Sequence, residues 1–241
     1  PVAVADRAPA HRGAPRALTC AECIGHNGRM LARPDDDVTT TVLQRLVIGV
    51  VLLVLAIGLG IQVTLEADID IDDWWNSFVD VFSPLQPGAF VMNFLGGGWF
   101  ATFVVPLGAA AILLALRRPW GALFALCASA GSALAVQLLK AAFGRTRPED
   151  MIVVSDHGSY PSGHTANAAT IAVIAVVIVP RVWVAVVGAA WVFAMAFSRT
   201  QVHAHWFSDT VGGTLAGLGA ALVVAALFTA VLERERERLD R

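Results

Sequence analysis

Charged residues are scarce in this chain, and lysine is almost absent. Only 15% of the 241 residues are Asp, Glu, Lys or Arg, compared with about a quarter in typical soluble domains, and Lys140 is the single lysine. Hydrophobic residues make up 56% of the chain, and the mean hydropathy is +0.66. This composition excludes an ordinary soluble domain and predicts an integral membrane protein whose partners are membrane lipids. The net charge of −2 gives no reason to expect a nucleic-acid partner.

Cysteine is also rare, with three in the chain. Cys127 lies in an apolar run, whereas Cys20 and Cys23 form a Cys-x-x-Cys pair in a polar segment with His26 nearby. That set falls short of the four ligands of a structural zinc site, so neither a metal nor another cofactor is predicted. About 40 mostly polar residues precede the first apolar stretch, which is not the pattern of a cleaved signal peptide.

Long apolar runs dominate the rest of the chain. Because a helix needs about 20 apolar residues to cross a bilayer, the runs predict an all-α bundle of six transmembrane helices at 42–65, 97–116, 121–143, 164–179, 182–197 and 210–232. The fourth and fifth spans are short, so tilt or local thinning of the bilayer is expected there. The triglycine at 96–98 is compatible with a loop before the second span or with a break inside a longer span from Phe90.

Polar segments flank this transmembrane region of residues 42–232. Residues 1–41 contain four prolines and a cluster of three aspartates, lack apolar periodicity and are predicted to be a disordered tail. Residues 233–241 form a charged C-terminal tail, interpreted as a solvated helical extension that needs no partner. Within the sixth span, Gly213, Gly217 and Ala221 recur every fourth residue, which favours close helix packing.

The basic residues are distributed unevenly between the two predicted membrane faces. Thirteen of the 17 lie in segments that share a side with the N-terminus, and the positive-inside rule assigns that side to the cytoplasm. Six spans then place both termini in the cytoplasm, with the protein expected in the plasma membrane. The remaining four, which all fall on the predicted extracytoplasmic side, are Lys140, Arg145, Arg147 and Arg199.

An acidic segment that ends in aromatic residues separates the first two predicted spans. Five acidic residues between 66 and 73 precede Trp74, Trp75 and Phe78. On a helix these aromatic side chains share one face, which suits the headgroup level of a bilayer. The segment is interpreted as a membrane anchor or, alternatively, as a lid that selects substrate.

The third predicted span ends in a basic segment. Lys140 supplies a compact positive charge, and Arg147, seven residues later, supplies a planar fork suited to two phosphoryl oxygens. Pro148 is predicted to help end the helix, since the residue before a proline avoids the α region. Arg145 has no assigned role in this pattern and is expected to contact lipid headgroups or an acidic neighbour.

The tetrapeptide Pro161-Ser162-Gly163-His164 stands where the fourth span begins. A helix N-terminus presents unpaired backbone N–H groups and is a ready anion site. Ser162 can cap the helix or donate its hydroxyl to phosphate, and Gly163 permits close backbone approach. Taken alone, this segment is equally compatible with an ordinary helix cap that carries an interfacial histidine.

A histidine and an aspartate follow the fifth span. His205 and Asp209 are four residues apart and share a helix face, so the carboxylate can accept a hydrogen bond from one ring nitrogen and leave the other as a nucleophile. Arg199 lies six residues before His205. His203 has no carboxylate four residues on, and it is not selected; His157 is interpreted as a loop residue.

Together, these segments resemble the three-part signature of the type 2 phosphatidic acid phosphatase superfamily, in its membrane-bound bacterial branch. Every signature position matches: Lys140, Arg147 and Pro148; Pro161, Ser162, Gly163 and His164; Ser198, Arg199, His205 and Asp209. The resemblance implies that His205 attacks phosphorus, that Asp209 orients it, and that His164 protonates the leaving oxygen and then activates water. It implies no metal, and the implied phosphate-binding residues are Lys140, Arg147, Ser162, Gly163 and Arg199.

The expected function is that of a metal-independent lipid phosphate phosphatase with a phosphohistidine intermediate. Polyprenyl pyrophosphate is the favoured substrate, with phosphatidylglycerophosphate and phosphatidic acid as alternatives. A lipid phosphotransferase, which passes the phosphoryl group to a hydroxyl instead of water, is another alternative. A non-catalytic lipid-phosphate binding or transport protein is the remaining one, although it leaves the His205 and Asp209 pair without a task. The oligomeric state is not predicted.

Overall fold

The computed structural model describes residues 34–65, 70–155 and 158–241, apart from the side chains of 34–37. Within these ranges every regular element is helical, which confirms the all-α prediction. A 3₁₀ segment, Asp80–Leu85, joins α2 to α3, and a π-helical segment, Phe100–Val104, leads into α4. The α-helices are α1 Pro34–Leu65, α2 Asp70–Val79, α3 Gln86–Gly96, α4 Val105–Ala115, α5 Pro119–Phe143, α6 Gly163–Ile178, α7 Val182–Gln201 and α8 Phe207–Leu239.

Four of these helices are long and apolar enough to cross a bilayer: α1 from Val38, α5, α7 and α8. A fifth span results when the segments Asp70–Gly96 and Phe100–Ala115, bent by 50° at the break between them, are taken as one. Helix α6 is apolar but has 16 residues. The chain is a multi-pass membrane protein, and a sixth span and the cytoplasmic placement of both termini stay predictions.

Helix ends differ from the predicted ends at several places. Helix α1 begins at Pro34, so residues 34–41 of the predicted tail are helical, while Cys20 and Cys23 lie outside the described residues. Helix α8 continues to Leu239, beyond the predicted end at 232. Hydropathy marks the apolar core of a bilayer, whereas a helix continues for as long as its backbone hydrogen bonds form, and both helices are longer for that reason.

The triglycine is a break inside a longer helical segment. Helix α3 ends at Gly96, and helical geometry resumes at Phe100; Gly98 has a positive φ of 56°, which suits glycine. The predicted second span at 97–116 agrees with the helical segment Phe100–Ala115, and the triglycine forms a break with a 50° bend between that segment and the preceding one. This break brings backbone close to His164, as described below.

The C-terminal extension is helical, as predicted, but the prediction that it needs no partner is wrong. Glu235 is buried, and its carboxylate accepts hydrogen bonds from the backbone N–H groups of Trp120 at 2.8 Å and Gly121 at 3.1 Å. These N–H groups belong to the first turn of α5, where backbone N–H groups have no carbonyl partner within the helix and a negative charge is stabilising. The extension therefore fixes the end of α5 that lies opposite Lys140.

Helix α6 packs against α5, α7 and α8 and lies at the centre of the fold. The contact with α8 is close because an added Cβ at Gly213 would lie 2.3 Å from Ser162 O, and one at Gly217 would lie 2.2 Å from Ala166 O. The prediction of glycine-mediated packing is confirmed. This packing brings the N-terminus of α6, with Ser162 and His164, next to the N-terminus of α8.

Candidate active site

Lys140 and Arg147 converge on one backbone carbonyl. Lys140, in the last turn of α5, donates from Nζ to Gly158 O at 2.7 Å, and Arg147 donates from Nη2 to the same oxygen at 2.8 Å. Helix α5 ends at Gly144, which takes the left-handed conformation with φ 53° and donates its N–H to Lys140 O. The prediction that Pro148 ends this helix is therefore wrong.

Ser162 is the N-cap of α6. Its Oγ accepts from Thr165 N at 3.5 Å and from Thr165 Oγ1 at 3.1 Å. Both contacts use Ser162 as an acceptor, so its own O–H can donate to a ligand. An added Cβ at Gly163 would meet only Val136 Cγ1, at 3.7 Å. Helix packing therefore places no demand for glycine at 163, and the position lines the cavity with room for a ligand to approach the backbone.

His205 lies between a cation and a carboxylate. Arg147 Nη1 is 3.3 Å from His205 Nε2, and a guanidinium can only donate. Nε2 must therefore be the unprotonated nitrogen, and the ring proton is on Nδ1. Asp209 Oδ2 lies 3.6 Å from Nδ1, slightly beyond hydrogen-bond distance. The lone pair on Nε2 is thus beside the side chain predicted to hold phosphoryl oxygens.

The surroundings of His205 keep its ring neutral. The pKa of His205 is lowered to about 4: burial is the largest cause, Arg199 and Arg147 also lower it, and Asp209 acts in the opposite direction. A neutral imidazole is the form that can attack phosphorus. His205 is therefore neutral across the physiological pH range.

A single residue of α3 contacts two of the predicted site residues. Asn93 accepts from Arg199 Nη1 through Oδ1 at 2.5 Å, and its backbone oxygen lies 3.1 Å from His164 Nε2. A carbonyl can only accept, so Nε2 of His164 carries a proton. An added Cβ at Gly97 would lie 2.3 Å from that nitrogen. The break after α3 therefore lets backbone pack directly against the ring of His164.

A cavity of about 1000 Å³ opens between α3, the π-helical segment, α5 and α6, and its polar wall includes Lys140, Gly163, His164 and His205. The other four predicted residues lie beside this wall: Arg147 and Asp209 next to His205, Ser162 next to Gly163, and Arg199 against Asn93. All eight predicted residues are thus brought together around one cavity. In the described ranges, no group of three or more His, Cys, Asp or Glu side chains is placed to hold a metal ion.

The chain matches the PAP2 superfamily, that of the type 2 phosphatidic acid phosphatases, over residues 119–233. This part of the chain, 115 of its 241 residues, belongs to the PAP2 superfamily. A membrane PAP2-type phosphatidylglycerolphosphate phosphatase from Bacillus subtilis, solved by crystallography, has a similar fold, with a TM-score of 0.58 and 20% sequence identity over 79% of this chain and 96% of that chain. No curated protein is significantly similar in sequence. The match supports a phosphatase and contains all eight predicted site residues.

Arg145 is part of this PAP2 site, although sequence reasoning gave it no role there. Its Nη1 donates to Asp209 Oδ1 at 2.8 Å and to Ser208 Oγ at 2.7 Å, while its Nη2 donates to Asp72 Oδ2 at 2.8 Å. The expectation of an acidic neighbour is confirmed, with two carboxylates instead of one. The guanidinium also lies 5.4 Å from the ring centre of Trp206.

Of the three residues that sequence reasoning missed, two lie far from the three motifs and one, Ser159, lies just before the second motif. Asp72 and Asn93 lie in the acidic segment and in an apolar run, and Ser159 donates to Asp209 Oδ2 from the loop before α6. The available signal is a polar side chain in an otherwise apolar segment, where it needs a partner. That signal identifies Asn93 as unusual but does not say which residue it contacts.

Tyr160, next to Ser159, is the single tyrosine of the chain and is fully buried. Its hydroxyl donates to Ala56 O of α1. Burial, assisted by the charge of Asp209, raises the pKa of Tyr160 well above its ordinary value. The phenol therefore stays protonated and holds the loop before α6 against α1.

His203 lies outside the cavity, as expected for a histidine that was not selected. Its Nδ1 is 2.9 Å from Asn76 Oδ1 and 2.9 Å from Asp150 Oδ2, and its Nε2 is 3.1 Å from Asp80 Oδ1. It joins the segment after α2 to the loop between α5 and α6. His157 is not among the described residues.

Proposed function

We propose that this chain is a lipid phosphate phosphatase in which His205 forms a phosphohistidine intermediate. The observation that carries the proposal is the position of His205 Nε2, 3.3 Å from Arg147 Nη1 with Asp209 on the opposite side of the ring. A neutral nitrogen beside a phosphate-binding cation is placed for in-line attack on phosphorus. The phosphoryl oxygens are held by Lys140, Arg147, Ser162, Gly163 and Arg199.

In the first step a bond forms between His205 Nε2 and phosphorus while the bond from phosphorus to the leaving oxygen breaks. His164, protonated on both ring nitrogens when the substrate is bound, gives its Nε2 proton to that oxygen and becomes neutral. In the second step His164 takes a proton from water, the water oxygen attacks phosphorus, and the bond to His205 breaks. Inorganic phosphate leaves, and both histidines regain their starting protonation states.

The apolar surroundings of the site support a lipid substrate. A second cavity, of about 670 Å³ and almost entirely apolar, shares Gly96, Phe100 and Asn167 with the first and extends along α6 to Ile178. Helix α6 has 16 residues, which corresponds to roughly 24 Å at 1.5 Å per residue. A hydrocarbon chain of a lipid fits such a groove while its phosphate occupies the polar wall.

Polyprenyl pyrophosphate is the favoured substrate. The apolar groove suits a lipid with one long chain, and a diacyl lipid would place its second chain outside it. Phosphatidylglycerophosphate is the second candidate, because a solved PAP2 phosphatase named for that substrate shares the fold at a TM-score of 0.58. Phosphatidic acid is the third.

Substrate choice is tested by measuring inorganic phosphate release from the three lipids in detergent at matched mole fraction, without an added acceptor. We expect the highest kcat/KM for polyprenyl pyrophosphate. A higher value for phosphatidylglycerophosphate moves the assignment to that lipid. Absence of phosphate release, with transfer seen only when an acceptor alcohol is added, favours a phosphotransferase. Absence of both contradicts the catalytic proposal and leaves a binding protein.

We further propose that the site faces the extracytoplasmic side of the plasma membrane, as the distribution of basic residues predicts. Val154 is fully exposed in the loop between α5 and α6 and lines the cavity. In a variant whose own cysteines are replaced, Val154→Cys should react with a membrane-impermeant maleimide on intact cells. Arg181→Cys, in the link between α6 and α7, should react only after permeabilisation. The reverse pattern contradicts the orientation.

A further inference from the structure

Asp72 is a buried carboxylate on an otherwise exposed part of α2. It is 1% exposed, whereas Asp70 and Asp73 on the same helix are exposed. A buried charge is costly unless it is paired and hydrogen-bonded. Asp72 meets both conditions, since Oδ1 accepts from Ser208 N at 2.8 Å and Oδ2 accepts from Arg145 Nη2 at 2.8 Å and from Ser208 Oγ at 2.6 Å.

Arg145 connects Asp72 to the residue that faces His205. One arm of its guanidinium contacts Asp72, and the other contacts Asp209 Oδ1 at 2.8 Å. Asp209 is itself fully buried, and its second oxygen accepts from Trp206 N at 2.9 Å and from Ser159 Oγ. The three ionised side chains therefore form a continuous buried chain, Asp72–Arg145–Asp209, that ends 3.6 Å from His205 Nδ1.

The net charge of the Asp72–Arg145–Asp209 chain determines how these side chains act on His205. Two carboxylates and one guanidinium leave a single negative charge, which balances the positive charge that His205 gains when Nε2 bonds to phosphorus. Without Asp72, Arg145 would cancel the charge of Asp209, and His205 would become positive in a buried site without a balancing charge. In a low-dielectric interior, removing this negative charge destabilises the positive His205 far more than the same removal would in water.

We propose that Asp72 is a positioning residue for the phosphoryl-transfer step, which it supports by holding Arg145 and thereby preserving the negative charge that Asp209 presents to His205. The inference rests on the proposed role of His205 as nucleophile. It assigns the acidic segment between α1 and α3 a part in the site, beyond its predicted roles as membrane anchor or lid.

Other charged groups act on His205 from the remaining sides. Arg147 lies 3.3 Å from Nε2, and Arg199 and His164 interact with His205 from α7 and α6. Lys140 lines the same cavity. These groups belong to elements other than α2 and stay in place when Asp72 is changed, so a difference between variants reports the Asp72–Arg145–Asp209 chain.

The test compares Asp72→Asn with Arg145→Gln by the titration of ¹⁵N-labelled His205 in detergent, with the signal assigned by its loss in His205→Gln. Asp72→Asn removes a negative charge and should lower the pKa of His205. Arg145→Gln removes a positive charge and should raise it. Opposite shifts are the signature of charge, because loosened packing has no reason to act in opposite directions. No shift, or the same shift in both variants, overturns the inference.

Kinetics give the second measurement. We expect Asp72→Asn to lower kcat by about 10-fold to 100-fold, the range found for partners of directly acting groups, with KM within about twofold of the wild-type value. Asp73→Asn, which removes an adjacent exposed charge, is the matched control and should leave kcat unchanged. A loss of kcat in Asp72→Asn without a change in the pKa of His205 indicates a merely structural role and contradicts the inference.

Two features keep this test separate from that of the proposed function. The pKa of His205 is measurable without turnover, so the Asp72 inference fails by itself if the wild type forms phosphohistidine and the pKa does not respond. If Asp72→Asn does not fold, Arg145→Gln alone decides: a raised pKa of His205 supports the inference, and an unchanged one overturns it.

Discussion

The two halves of this molecule contribute differently to the site. Helices α5 to α8 and the segments that link them carry all eight predicted residues, and the family match at 119–233 falls in this half. Helices α1 to α4 carry none of the eight. Yet α2 supplies Asp72, α3 supplies Asn93, and the break after α3 supplies Gly97, each in contact with a site residue or its partner. The proposed reacting groups therefore come from one half, and much of their positioning comes from the other.

The largest effect is expected from the C-terminal half. His205→Ala removes the nitrogen that bonds to phosphorus, so turnover should fall to the background rate. Phosphate release by the purified variant is the measurement. His203→Ala is the matched control, because His203 is two residues away but lies outside the cavity, and it should keep most of the activity. Robust hydrolysis by His205→Ala would end the assignment of the nucleophile.

His164→Ala should lower kcat by on the order of 10²-fold to 10⁴-fold, the usual range for loss of a proton-transfer group. The loss should be smaller for a phosphate ester whose leaving group needs no proton, because the first step then proceeds without an acid. Comparing kcat for two esters of different leaving-group pKa measures this. An equal loss for both would contradict the role of His164 as the acid.

Gly97→Ala tests whether the N-terminal half positions His164. The added methyl group would lie 2.3 Å from His164 Nε2 and 2.5 Å from Cε1, so the ring must move, and a displacement of about 1 Å can cost up to 10²-fold in rate. We expect a loss of kcat of about 10-fold to 100-fold.

Gly88→Ala is the control for this change, since an added Cβ there meets nothing within 4 Å. The backbone at Gly97, with φ −134° and ψ −177°, is allowed for alanine, so backbone strain does not confuse the result. Equal activity of Gly97→Ala and Gly88→Ala would show that this half is not needed to place His164.

The pH dependence of stability should report the buried His205. Its pKa is lowered to about 4 in the folded protein, whereas an unfolded chain has an ordinary histidine pKa near 6.5. Between these values the unfolded chain binds more protons, so the free energy of unfolding decreases as the pH falls from about 6.5 to 4. His205→Gln lacks this term, and the wild-type Tm should fall further across that window, by on the order of 5 °C. Parallel Tm curves would contradict the lowered pKa.

The smallest effect is expected from removal of metal ions. The proposed steps use cationic side chains to neutralise phosphoryl charge, so EDTA should leave the rate of phosphate release unchanged. Full inhibition that is reversed by an added divalent cation contradicts the metal-independent mechanism.

The sequence predicted the reacting residues because their chemistry is local. Ser162 and His164 stand at the start of one helix. His205 and Asp209 are four residues apart, but the prediction that they share a helix face is wrong, because His205 lies in a bend before α8; the short separation along the chain still keeps the two side chains close. Helices were predictable because an apolar run is also a local feature of the sequence. The helix ends were not predictable in the same way. For example, the end of α5 depends on the left-handed conformation of Gly144 and not on Pro148.

The positioning residues could not be predicted because their contacts cross the whole chain. Asp72 reaches Ser208 across 136 positions, and Asn93 reaches Arg199 across 106. No spacing rule applies at that separation; the contacts exist only once α2 and α3 pack on α7 and α8. Arg145 lies two residues before Arg147 of the first motif, but its partners Asp72 and Asp209 lie 73 and 64 positions away along the chain. Glu235, predicted to be solvated, is buried for the same reason.

The most direct test is to trap the covalent intermediate. With a phosphate ester whose leaving group needs no proton, His164→Ala should form the phosphoenzyme but hydrolyse it slowly, so the intermediate accumulates. After quenching in alkaline detergent, where phosphohistidine survives, peptide mass spectrometry should find one phosphoryl group on His205, and His205→Ala should carry none. A phosphoryl group on another residue, or turnover by the wild type through a path that never labels His205, would contradict the account.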